Sequence, residues 1–147
     1  MTCINIQQVE YHSDLYWQVV DLREKILRKP LGLKFSSNDL TGDNNDIILA
    51  ACFQNKVIGC VQLQPVDKQT YKLRQMAVDK TFRRQGIGKK LIFEAEQTAR
   101  NKHRNKIILH ARKTALNFYK KLKYKVTSEK FFEIGIAHYQ MEKKLDI

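Results

Sequence analysis

The sequence predicts an α/β protein, a mixed β-sheet with two parallel strands and helices packed on its faces. Three observations predict it. Short apolar runs at Ile47–Phe53, Val57–Pro65 and Tyr71–Val78 read as successive strands. Leu91, Ile92, Ala95 and Ala99, in a segment from Gly88 to about Arg104, repeat at helical spacing, and the run Lys106–Ala111 follows as another strand. Strand, glycine turn, helix and strand in that order form a crossover unit, so Tyr71–Val78 and Lys106–Ala111 are expected to lie parallel.

The remaining elements follow in chain order. "CINIQQV" (Cys3–Val9) alternates as a first or edge strand. Ser13 and Asp14 offer a helix cap, and Leu15, Val19, Leu22 and Ile26 make one helical face that Pro30 and Gly32 close. "SSNDLTGDNND" (Ser36–Asp46) reads as a flexible polar connection. Gln54-Asn55-Lys56 turns the second strand into the third. "TALNFYKKL" makes a short helix, and Tyr124–Leu145 is expected to hold two strands. The expected order is β-α-β-β-β-α-β-α-β-β, in a single domain spanning 1–147.

Composition bounds the function. Apolar residues make up 43% of the chain, enough for a core and against wholesale disorder. The net charge of +12 points to an anionic partner. Between Lys68 and Lys130 stand 19 Lys or Arg against four acids, so that partner meets the second half of the chain. Cys3, Cys52 and Cys60 form no CxxC pair, and Cys52 and Cys60 sit in apolar strand patterns as small core residues. The N-terminus lacks the basic and apolar regions of a signal peptide, and no apolar run approaches bilayer length. The expectation is a cytoplasmic protein that does not engage a membrane. His12, His103, His110 and His138 show no metal-ligand spacing, so no metal is expected.

The stretch "FRRQGIGKKL" (Phe82–Leu91) places two glycines and four cations at the start of the long helix. The first amides of a helix lack intrahelical partners and carry partial positive charge, which suits a phosphate. Gly86 and Gly88 let an anion approach the backbone. The spacing does not fit a Walker loop, because Arg83 stands at the first glycine and Lys90 at the Ser/Thr. Nor does it fit a dinucleotide fingerprint, where Leu91 replaces the third glycine.

Arg83-x-x-Gly86-x-Gly88, after an apolar strand and before a helix, resembles the [RQ]-x-x-G-x-[GA] acyl-CoA motif of the GNAT family of N-acetyltransferases. "ALNFYKKLKY" (Ala115–Tyr124) resembles that family's A-x-x-F-Y-x-x-x-G-[FY] segment, with Lys123 where glycine is usual, so a different exit turn is expected there. "FFEIGIAHYQMEKKL" is similar to the F-x-E-x-G-I-P-H-x-x-M ending of one bacterial branch, with Ala137 in place of proline.

The resemblance implies a GNAT-like fold with splayed parallel strands, and acetyl-CoA as acyl donor to an amine acceptor whose identity stays open. It implies contacts to the donor from Met76, Ala77 and Val78 on the strand, and from Arg83, Arg84, Gln85, Gly86, Ile87, Gly88 and Lys89 at the turn. Attack of a neutral amine on a thioester needs a base, an oxyanion donor and an acid for the leaving thiolate. The family's helical tyrosine maps to Tyr119 as the acid. His110 and His138 are both candidates for the base, with ordered water as a third. Arg23, Arg28 and Arg74 are candidates to meet an anionic group on the acceptor, against the plainer reading of solvated cations. A CoA-binding sensor without turnover is the alternative, and a basic nucleic-acid-binding protein a weaker one. Nucleic acid is not expected as a partner, since the cations surround a glycine turn and no nucleic-acid-binding signature appears. An exposed terminal strand leaves homodimer pairing open.

Overall fold

The computed structural model describes residues 3–33 and 40–146. It is a mixed α/β structure whose strands form one sheet: β1 (Asn5–Val9), β2 (Ile47–Phe53), β3 (Lys56–Pro65), β4 (Thr70–Val78), β5 (Lys106–Arg112), β6 (Lys125–Val126), β7 (Phe131–Glu133) and β8 (Ile136–Lys144). The order across the sheet is β1-β2-β3-β4-β5-β8-β6, with β7 also paired to β8. Helix α1 (Asp14–Arg23) covers one face, and α2 (Ile87–Asn101) covers the other. A short α3 (Leu116–Lys121) follows β5. The tail holds three strands where two were expected, because Phe131–Glu133 folds back on β8 through a turn with Ile134 and Gly135 at positive φ. None of the helices among the described residues is long and apolar enough to cross a membrane.

Local chemistry fixes the ends of these elements. Ser13 Oγ accepts the Tyr16 N–H at 3.2 Å and caps α1. Gln54 and Asn55, both at positive φ, make the two-residue turn between β2 and β3. The predicted face of α2 is buried: Leu91, Ile92, Ala95 and Ala99 pack against Leu49, Ile58, Leu73, Ile107 and Leu109. On the same helix Glu96 accepts from the Tyr124 hydroxyl at 2.9 Å and the Lys143 ammonium at 3.0 Å, which satisfies its buried carboxylate.

Helix α1 departs from the expected face. Tyr16, Val19, Val20, Leu22 and Arg23 are buried, while Leu15 and Ile26 pack only at the margin. Arg23 is therefore no acceptor ligand. Its guanidinium donates to Asp43 at 2.7 Å and Gln62 at 2.8 Å, and the Tyr16 hydroxyl donates to the same Asp43 oxygen. A buried cation persists only when paired, and Asp43 supplies the counter-charge. Burial and the Asp43 carboxylate push the Tyr16 hydroxyl well above the usual range. Asp43 arrives on a 3₁₀ turn, Thr41–Asn45, inside the connection expected to be flexible; residues 36–39 of that connection lie outside the described residues. Cys52 and Cys60 are small residues of this second core, as expected.

The parallel pair is present. β4 and β5 are in register from Thr70↔Lys106 to Leu73↔Leu109, and there the pairing stops. Both strands continue, β4 to Val78 and β5 to Arg112, so they diverge into a V. Gln75, at φ +58°, lies on β4 where its register with β3 shifts between Cys60 and Gln62, a bulge that bends β4 away from its neighbour.

Candidate active site

Beyond Leu73 and Leu109 the diverging strands open a cleft of about 540 Å³. β4 contributes Lys72, Arg74, Gln75 and Met76 to its lining, and β5 contributes His110, Ala111 and Arg112. Helix α3 contributes Phe118 and Tyr119, and the β7–β8 hairpin contributes Glu133, Ile134 and His138. Met76, His110, Tyr119 and His138, chosen from the sequence, thus share one cleft.

The free edge of β4 is polar. The Asp79 N–H bonds to the Ile58 carbonyl at 2.8 Å, so the amide of Asp79 faces β3. Alternation along a strand turns the Val78 and Met76 amides the opposite way, into the gap. Ala77 faces β3, where it pairs with Cys60, and its side chain is buried in the α1 core. Asp79 also accepts from the amide and hydroxyl of Thr81, and those bonds hold its carboxyl below the usual carboxylate range. They fix the exit of β4 toward the glycine turn.

At that turn Arg84 and Gly86 take left-handed backbone, φ +65° and +76°. The first bond of α2 runs from Lys90 N–H to the Gly86 carbonyl, at 3.0 Å. The Ile87, Gly88 and Lys89 amides precede it and have no intrahelical acceptor. A left-handed residue followed by helical ones turns successive amides to one side, an anion-binding concavity. Arg83, Arg84, Gln85 and Lys89 stand exposed around it. The two glycines serve differently. A Cβ at Gly86 would meet nothing within 4 Å, so its requirement is the positive φ. A Cβ at Gly88 would come within 3.2 Å of the Phe118 ring, so Gly88 lets α2 close against the wall of the cleft.

Tyr119 is 6% exposed, packed edge-on between Phe118 and Tyr124. Burial raises its hydroxyl well above the ordinary value, keeping it protonated. Its helix ends as the consensus glycine would end it: Lys123 takes φ +76°, its N–H bonds to Lys120, and Tyr124 N–H reaches the Tyr119 carbonyl. The expected change of exit turn does not occur, because these two bonds and the buried Tyr124 hold Lys123 in the left-handed region.

Across the cleft, His110 Nδ1 lies 2.5 Å from Glu133 Oε1. A carboxylate oxygen accepts, so Nδ1 carries the hydrogen, and in the neutral imidazole Nε2 holds the lone pair. His138 is bonded differently. Its Nδ1 donates to the Ile136 carbonyl at 2.7 Å, and its Nε2 faces Glu133 at 3.9 Å. Glu133, a residue of the tail motif that sequence reasoning missed, stands between the two imidazoles.

A mixed sheet whose parallel strands part beside a helix start with free amides is a fold that known acetyltransferases share. The family model of the acetyltransferase (GNAT) domain matches residues 34–145, and the chain belongs to that family of acyltransferases. A candidate acetyltransferase of Bacillus subtilis (strain 168) is 28% identical over 97% of this chain and 98% of its own. The fold matches that of a GNAT family acetyltransferase from Elizabethkingia anophelis with acetyl-CoA bound (TM-score 0.76, 22% identity, 97% of this chain and 98% of that one). It also matches an aminoglycoside 6'-N-acetyltransferase complexed with coenzyme A (TM-score 0.81, 18% identity, 95% and 96% of the two chains).

Proposed function

We propose that this protein transfers the acetyl group of acetyl-CoA to a primary amine by direct attack, with donor and acceptor bound together. The observation that carries the reading is the gap between β4 and β5. It presents the Met76 and Val78 amides, and it lies between α3, against which the start of α2 packs, and the His110–Glu133 pair.

The amides of Ile87, Gly88 and Lys89 receive the donor's diphosphate, with Gly86 setting their direction. Arg83, Arg84 and Lys89 add charge, and Gln85 and Ile87 complete the turn. Met76 and Val78 pair with the pantetheine amides as an added strand would, on the edge that β5 leaves free. His110 Nε2 takes the proton as the amine nitrogen bonds to the acyl carbon, and Glu133 holds the imidazole in the required tautomer. An amide on the free edge of β4 donates to the oxygen that gains charge. Tyr119 donates to the sulfur as the C–S bond breaks. His138 is less suited to the base role, since its Nδ1 is committed to Ile136 and its Nε2 faces Glu133.

The test incubates the purified chain with acetyl-CoA and a panel of primary amines and follows free thiol. Amine-dependent thiol release is expected. Intact acetyl-CoA binding with no release across the panel would overturn the reading in favour of a binding module.

A further inference from the structure

The two faces of the sheet carry different chemistry at the cleft. Register sets Lys72 beside Ile108, and Arg112 opposite His138. Alternation then puts Lys72, Arg74, Ile108, His110, Arg112 and His138 on one face. Leu73, Ile107, Leu109 and Met141 point to the other face, against α2. Phe118, whose ring a Cβ at Gly88 would approach to 3.2 Å, stands beside the start of α2, the side from which the proposed donor's nucleotide end would come. The first face is open to the acceptor.

That face is heavily cationic. Arg28, Lys72, Arg74 and Arg112 line the cleft with one carboxylate, Glu133, and a second carboxylate, Asp46, stands beside Arg74. Glu133 is already engaged with His110. Arg74 has Asp46 at 3.8 Å, whereas Arg112 donates only to the Leu27 carbonyl, at 3.2 Å, and has no ion pair among the described residues. Burial lowers the Lys72 ammonium, with Glu133 opposing and Arg74 adding to the effect. Burial and the neighbouring Arg28 likewise lower Arg112. Half-buried cations set side by side repel one another and favour a bound anion.

From this we infer that the acceptor is an amine that also carries an anionic group, a carboxylate or phosphate, seated between Lys72 and Arg112 while its amine faces His110. The inference rests on the acetyl-transfer reading and narrows its acceptor. A polycationic amine is disfavoured by the same charges.

The experiment compares matched acceptors, with rates expressed per free amine. An α-, β- and γ-amino acid series is set against the corresponding amides, 2-aminoethyl phosphate against ethanolamine, and spermidine serves as the polycation. Charge-assisted hydrogen bonds to the anion predict kcat/KM about 10-fold or more higher for the anionic member of a pair. Whichever pair shows the larger ratio distinguishes carboxylate from phosphate. In Lys72→Gln and Arg112→Gln that ratio falls toward one, a change that general destabilisation would not produce. Equal or faster acetylation of the amides, ethanolamine or spermidine would overturn the inference. Binding of N-acetylglycine against N-acetylglycinamide to the CoA-saturated protein separates the two levels. Tighter binding of the carboxylate without turnover would keep the anion site and overturn acetyl transfer; equal binding would overturn the anion site itself.

Discussion

The imidazole of His110 and the carboxylate of Glu133 meet at 2.5 Å although 23 residues separate them, because β5 and the β7–β8 hairpin both flank the start of β8. In the proposed mechanism the contact leaves Nε2 of His110 to take the amine's proton. Replacing His110 by Ala is expected to lower kcat/KM by ~10²-fold or more, the usual worth of a positioned base. Glu133→Gln keeps a hydrogen-bond acceptor but no longer fixes the ring as a carboxylate does, because an amide can turn either its oxygen or its nitrogen to Nδ1. It should lower kcat/KM by about 10-fold, less than His110→Ala does. Steady-state kinetics of both variants check the order, and an unchanged kcat/KM in Glu133→Gln would count against the pairing.

Tyr119 brings a magnitude to bear on the leaving group. A free thiol has a pKa near ~8.5 and a free phenol near ~10, and burial raises Tyr119 further. Complete proton transfer to the thiolate would therefore be uphill, and in the proposed mechanism the hydroxyl acts by donating a hydrogen bond to the developing charge. Such a bond is worth about 1.5–3 kcal/mol, so Tyr119→Phe should lower kcat roughly 10- to 100-fold. The KM for acetyl-CoA should change little, because the ring and its contacts with Phe118 and Tyr124 remain. Steady-state kinetics of the variant decide; an unaltered kcat would remove Tyr119 from the chemistry.

What the sequence discloses here is what repeats locally. The stripe on α2 and the parallel relation of β4 and β5 follow from periodicity and topology, and the choice of Met76, His110, Tyr119 and His138, which share one cleft, follows from the family resemblance. Glu133 escapes because nothing local ties it to His110; only the fold-back of β7 on β8 does. Arg23 misleads for the same reason. On a helical wheel it is a solvent cation, and its inward turn depends on Asp43, twenty residues away on a turn of no regular pattern. Lys123 shows tertiary context overriding a local preference, since the turn geometry persists without its glycine.

Gly86 separates the two functions of the glycine turn. Its φ of +76° costs a residue with a Cβ about 1–2 kcal/mol, yet that Cβ would meet no atom within 4 Å. Gly86→Val should therefore remain folded, with a lower melting temperature, and bind acetyl-CoA at least ~10-fold more weakly, because relief of the strain turns the Ile87 and Gly88 amides away from the diphosphate. Gly86→Asn tolerates the left-handed region better and should retain more affinity than the valine variant. Calorimetric titration with acetyl-CoA beside thermal unfolding tests the order glycine, asparagine, valine. Equal affinity in all three, with only the melting temperature moving, would show that the turn bends the chain without holding the anion.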